Sequence, residues 1–207
     1  MASSGFIVVG VGMLDVNCYL VPSAGGGLYV IDPGAEPEKI LSAVRGTGQG
    51  VKAVLLTHGH VDHIGAAREV SEAFGGVPVY LHAADHPLYF SPANCLRPFV
   101  PPVENPIPPQ DSYDTTDFEV IHVPGHTRGC VCFYFREFGE LFCGDTLFRD
   151  SVGRTDLPGG DPGDLAVSIR DKLYRLPPET KVYPGHGPMT TIGHEAAHNS
   201  FVRGERP

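Results

Sequence analysis

The stretch His58-Gly59-His60-Val61-Asp62-His63 constrains this chain more than any other, because it falls where a strand should end and a helix begin. Val51 to Thr57 is short, apolar and β-rich, as a buried strand should be. Gly65 to Phe74 has helical composition and stops at Gly75-Gly76. Three imidazoles and a carboxylate on such a turn would converge on one spot at a sheet edge. Imidazole with carboxylate suits zinc, iron or manganese. The bland alternative is a polar loop that happens to be His-rich, and the rest of the chain decides between them.

Around this turn, strands are predicted over 5–11, 17–21 and 28–31, the last running into Asp32-Pro33-Gly34. Pro37 followed by Ile40, Leu41 and Val44 predicts a helix over 36–45. Val77 to His82 reads as a strand and Ala83 to Phe90 as a short helix. Seven prolines between Pro92 and Pro109 exclude regular structure from 91–112, a segment long enough for a lid, a binding loop or a cover over the sheet edge. Further strands are predicted over 118–123, 130–135, 140–143 and 181–183, with a helix over 164–176. The two halves look loosely alike, which predicts one composite domain over 1–207.

The formal charge of −9 counts against nucleic acid as a partner, since phosphate contacts need clustered Lys and Arg. No stretch approaches the ~20 apolar residues of a membrane span. The apolar N-terminus has no basic segment before it, which favours a first strand over a signal peptide. Five cysteines, odd in number and without a C-x-x-C pair, suit reduced thiols in a cytoplasm. Cys130 and Cys132 alternate in a strand and should share one buried face as small hydrophobes.

Chemistry-bearing residues recur at strand ends: His58, His60, Asp62 and His63, then His126, Asp145 and His186, flanked by Gly or Pro. Singly, a Gly-Asp-Thr or Gly-His-Gly reads as a turn. Together, seven such residues exceed one tetrahedral ion and point to two adjacent divalent cations with Asp145 shared.

Thr57-His58-Gly59-His60-Val61-Asp62-His63, Pro124-Gly125-His126-Thr127, Cys143-Gly144-Asp145-Thr146-Leu147-Phe148 and Pro184-Gly185-His186-Gly187 appear in that order. The set resembles the metallo-β-lactamase-fold hydrolases, as does the turn Asp32-Pro33-Gly34. The resemblance implies an α/β fold, a four-layer αββα sandwich with a dinuclear site at one edge. It assigns His58, His60 and His126 to one metal, Asp62, His63 and His186 to a second, and Asp145 to both. Zinc is the first choice of ion, with iron or manganese as alternatives.

Gly144-Asp145-Thr146-Leu147-Phe148 resembles hydroxyacylglutathione hydrolase (glyoxalase II), and Ser151 to Asp161 its short bacterial branch. That likeness implies hydrolysis of a small thioester such as S-lactoylglutathione by a hydroxide held between the metals. Asp62 and Asp145 are then the catalytic carboxylates, Asp62 binding metal first and orienting the nucleophile second. Arg154, Asp156 and Asp161 are expected mainly to order the loop beside the site. Arg154 and Asp156 are also substrate-side candidates. So is Phe133, which stands roughly where glyoxalase II has a glutathione-holding Tyr. The rivals are a persulfide dioxygenase using one iron on His58, His126 and Asp145, or a lactonase or other small-ester hydrolase. True β-lactamases match poorly, because they generally lack the bridging aspartate. The expected state is a monomer or homodimer.

Overall fold

The computed structural model describes residues 4–113 and 116–203, which contacts divide into two compact units meeting in sequence between Asp117 and Phe118. The first unit runs β1 (Ile7–Val11), β2 (Val16–Pro22), β3 (Leu28–Ile31), α1 (Pro37–Gly46), β4 (Val51–Leu55), α2 (Val61–Ile64), α3 (Ala67–Ala73), β5 (Val79–Tyr80) and α4 (His86–Tyr89). Its sheet has the order β1-β2-β3-β4-β5. β1, β2 and β3 pair antiparallel, whereas β4 lies parallel to both β3 and β5. Parallel neighbours need a crossover, and α1 supplies it between β3 and β4. Pro37 sets the first helical turn, where its missing N–H costs nothing. Ile40 and Val44 are fully buried on the core-facing stripe, and burying each side chain is worth about 1.5–3 kcal/mol. They pack in one cluster with Val30, Val54, Ile64 and Val70.

The second unit runs β6 (Glu119–His122), β7 (Val131–Phe135), β8 (Glu140–Gly144), β9 (Leu147–Phe148), β10 (Ser151–Val152), α5 (Pro162–Asp171), β11 (Lys181–Pro184), β12 (Thr190–Thr191) and α6 (Ile192–His198). Its main sheet has the order β12-β11-β8-β7-β6, with β8 and β11 parallel and every other pair antiparallel. Asp161 caps α5 by accepting from the Asp164 amide at 2.9 Å, and Pro162 follows it. Leu165 and Ile169 on α5 join Cys130, Cys132, Tyr134 and Leu141 in one core cluster. The two cysteines do share a buried face, and burial and then the neighbouring Cys143 and Cys130 push the Cys132 thiol well above its usual range.

Sequence and structure differ in several places. The helix predicted over 65–74 narrows to α3, and a separate short helix, α2, begins at Val61 and puts Asp62 and His63 on a helical turn. The strand predicted over 77–82 narrows to Val79–Tyr80, and its edge is continued from the Pro-rich segment. There Gln110 donates to the Val79 carbonyl (2.7 Å) and accepts from the Leu81 amide (3.1 Å). The hairpin β9–β10, strand β12 and helix α6 carried no sequence signal that we read. No helix among the described residues is long and apolar enough to cross a membrane.

Candidate metal centre

In both units chemistry-bearing residues follow the carboxyl ends of parallel strands, the usual position for sites in open α/β sheets, while His126 follows the antiparallel edge strand β6. Register explains the first set. β3 and β4 run side by side with Ile31 opposite Leu55, and the Asp32 amide continues the ladder to the Leu55 carbonyl at 3.0 Å. Asp32 and Thr57 therefore leave the sheet as neighbours. Asp32 is only 2 % exposed and has a left-handed backbone (φ +50), a conformation few non-glycine residues tolerate.

The Asp32 carboxylate organises the turn. One oxygen accepts from the Thr57 amide (2.8 Å), and the other from the Thr57 hydroxyl (2.6 Å) and from His63 Nδ1 (3.0 Å). The Thr57 hydroxyl hydrogen is thus spent on Asp32, so its oxygen must accept from His58 Nδ1, 3.0 Å away. Both imidazoles are fixed as Nδ1–H tautomers, which makes Nε2 the basic nitrogen on each. His63 Nε2 lies 3.8 Å from Asp62 Oδ2, and the His58 ring sits edge-on to His60 with centroids 4.9 Å apart.

Close backbone approach holds the turn in place. A Cβ added to Gly34 would meet the Asp62 carbonyl oxygen at 1.7 Å, which admits no side chain there. The Gly59 amide donates to Asp85 (2.8 Å), the Val61 amide to Asn94 Oδ1 (3.1 Å), and Asn94 Nδ2 donates back to the Gly59 carbonyl (2.7 Å). Asp85 and Asn94 escaped the sequence reading because an Asp within a short predicted helix, or an Asn among prolines, looks like a capping or turn residue. Asn94 also gives the Pro-rich segment a definite task. Asn94→Ala leaves two buried backbone groups of the motif unpaired and is expected to cost about 2–4 kcal/mol, read as a lower midpoint in urea unfolding.

The second set forms in the same way. β8 and β11 are parallel with Gly144 opposite Pro184, and the Gly185 amide donates to the Gly144 carbonyl at 2.8 Å. Asp145 and His186 therefore emerge side by side. Asp145 Oδ2 lies 3.7 Å from His186 Nε2 and 3.8 Å from His126 Nε2, so one carboxylate oxygen faces two imidazoles. His126 Nδ1 donates to the Arg154 carbonyl at 2.7 Å; a carbonyl can only accept, so His126 also carries its proton on Nδ1.

The donor set fits divalent cations. Donor atoms on one tetrahedral ion at about 2.0–2.2 Å stand roughly 3.3–3.6 Å apart, close to the carboxylate–imidazole spacings within each unit. Three of the histidines have their second nitrogen committed to a protein acceptor, the outer-shell arrangement typical of metal-ligating imidazoles.

The substrate-side candidates fare differently. Phe133 is fully buried in β7 and edge-on to Phe118, with centroids 5.3 Å apart. It has no surface to offer a substrate, and this corrects the expectation for it. The Arg154 guanidinium binds Asp156 through two hydrogen bonds of 2.7 and 2.8 Å, both side chains being exposed. That pairing holds the Asp156 carboxyl down at about 2, so it stays ionised until the pH falls toward that value. The pair lies in the loop whose Arg154 carbonyl accepts from His126. Asp161 is a helix cap.

Comparison with known proteins adds four findings. The Metallo-beta-lactamase superfamily model matches residues 11–186. Hydroxyacylglutathione hydrolase GloC of Haemophilus influenzae is 35% identical, the match covering 94% of this chain and 96% of that protein. Among solved structures, TTHA1623 in a di-iron-bound form has TM-score 0.84 and 46% identity over 95% of this chain and 100% of its own. The BLEG-1 B3 metallo-beta-lactamase has TM-score 0.83 and 38% identity over 95% and 99%.

Proposed function

Because the chain belongs to the metallo-β-lactamase superfamily and has its fold, α/β with sheets flanked by helices, we propose that it hydrolyses small thioesters with two divalent cations. It is a metallo-hydrolase of that superfamily; the substrate and the metal count are our reading. In this reading His58, His60 and His126 hold one cation, Asp62, His63 and His186 the other, and Asp145 is shared. The observation that carries it is the Asp145 oxygen set between His126 and His186, at 3.8 and 3.7 Å. A carboxylate oxygen facing two imidazoles can serve as a ligand common to two ions, one beside each.

When bound, such cations lower the pKa of water from 15.7 toward about 7 and polarise an acyl oxygen. The protein's own share is orientation. Asp32 and Thr57 lock His58 and His63 in the ligating tautomer, and the Arg154 carbonyl does so for His126. Asp62, about one-tenth exposed, would serve mainly to hold a cation and secondarily to orient the attacking water by accepting a hydrogen bond from it. The departing thiolate needs little help, because a thiol's ordinary pKa of about 8.5 makes it a good leaving group.

GloC supports a glutathione thioester, and the di-iron form of TTHA1623 supports two metals and keeps iron beside zinc as a candidate. The likeness to BLEG-1 favours a β-lactam as the second substrate class. A panel of S-lactoylglutathione, a simple acyl thioester, a cephalosporin and glutathione persulfide with oxygen uptake separates the readings. Metal-replete protein is expected to turn over the thioesters, to lose at least about 99% of that activity on chelation, and to regain it with zinc, iron or manganese. Oxygen uptake with one bound iron, or thioester turnover indifferent to chelation, defeats the proposal.

A further inference from the structure

The hairpin β9–β10 and the helix α6 build a second group of ligating side chains, formed by Asp150, His194 and Glu195. All three belong to the second unit. Asp150 sits at the hairpin tip with a left-handed backbone (φ +58), and its amide donates to Glu195 Oε2 at 3.0 Å. The Thr191 hydroxyl caps α6 by accepting from the His194 amide, so both ends of the group are fixed through the main chain. Asn199 Nδ2 donates to Glu195 Oε2 (2.8 Å) and to the Ser151 carbonyl (3.0 Å), docking the hairpin on the helix.

Glu195 is fully buried, and the Asp150 amide and Asn199 Nδ2 both donate to its Oε2. The Thr190 hydroxyl donates to its Oε1, and a carboxylate oxygen has a second lone pair for a ligating bond. His194 Nε2 donates to Asp150 Oδ1 at 2.7 Å and lies 3.8 Å from Glu195 Oε1, so a bound cation would take the place of that hydrogen. One imidazole therefore faces two carboxylate groups. The His198 ring stacks on His194 at 4.8 Å and fixes its orientation.

We propose that Asp150, His194 and Glu195 bind a divalent transition cation of the zinc, nickel or copper class, separate from the strand-end centre. One nitrogen and two oxygens, all within 4.8 Å of one another, form a three-point site. Its outer face is open to water, since the His194 and Asp150 side chains are 39 and 59 % exposed. A shift of about 1 Å in the exposed Asp150 carboxylate brings the spacings to those of one ion. Thr190, Asn199 and the Asp150 amide are the outer donors that aim Glu195. The cation would brace the hairpin that leads directly into Gly153 and Arg154, whose carbonyl holds His126.

The test is equilibrium dialysis against about 10 µM free zinc with elemental analysis, comparing the unaltered protein with His194→Ala and Asp150→Asn. Copper titration with electron paramagnetic resonance runs beside it. The unaltered protein should hold one equivalent more than either variant, and its nitrogen splitting from this site should vanish in His194→Ala. Asp150→Asn keeps the amide bond to Glu195 and so retains the fold if His194→Ala does not. The comparison is a difference between proteins, so it reads this site whatever the strand-end centre holds. Equal zinc uptake in all three proteins, or a copper spectrum indifferent to His194, overturns the proposal.

Discussion

Asp145→Ala is expected to lower thioester turnover by at least about a thousandfold, roughly 4 kcal/mol of barrier, and to leave one equivalent of metal or less. The reason is local. Asp145 Oδ2 is the carboxylate oxygen within 3.8 Å of both His126 and His186, so its removal leaves those imidazoles without the shared anion. Its main chain is fixed as well, because a Cβ at Gly153 would meet the Asp145 carbonyl oxygen at 1.9 Å. The substitution therefore removes the carboxylate without releasing the loop. Asp145→Asn makes the test sharper by keeping shape and losing charge, and it should fall nearly as far. Elemental analysis and kcat/KM on the same preparation check the outcome. Normal turnover with unchanged metal content would end the two-cation reading.

The strand ends were legible in the sequence because parallel strands buried on both faces read as short apolar runs, and the residue after each run is where the chain turns out of the sheet. Val51 to Thr57 and Glu140 to Cys143 are such runs, and they deliver His58 and Asp145. The devices that aim these residues were not legible. Arg154 acts on His126 through its carbonyl, which no side-chain pattern reports. Asn94 reaches the Gly59 carbonyl across 35 positions of sequence. Phe133 was misread as a substrate contact because a strand with five buried residues hides which positions face a site. The hairpin β9–β10 has two residues per strand, too few for a periodicity to show. Yet that hairpin carries both Asp150 and the approach to Arg154, so the least readable element bears on both candidate cation sites.

Asp32→Asn is expected to weaken binding of one of the two proposed strand-end cations by about 10–100-fold and to cost roughly 3 kcal/mol or more of stability. Asn, like Asp, tolerates the left-handed backbone at this position, so the substitution leaves the turn's conformation unstrained. Its carbonyl oxygen can still accept the Thr57 amide. The other position changes from an acceptor of two hydrogens to a donor of two, facing the Thr57 hydroxyl and His63 Nδ1. His63 must then give up its Nδ1 proton to accept, which moves the proton to Nε2 and leaves that nitrogen no lone pair for a cation. His58 is disturbed next, because the Thr57 hydroxyl that accepts from it is no longer held by Asp32. Asp62 and His63 belong to the same proposed cation, so loss should fall on that ion first, with the other retained. Competition with a chromophoric chelator resolves the two affinities, and urea unfolding gives the stability. If both affinities and the unfolding midpoint match the unaltered protein, Asp32 is only a turn residue and the tautomer lock is wrong.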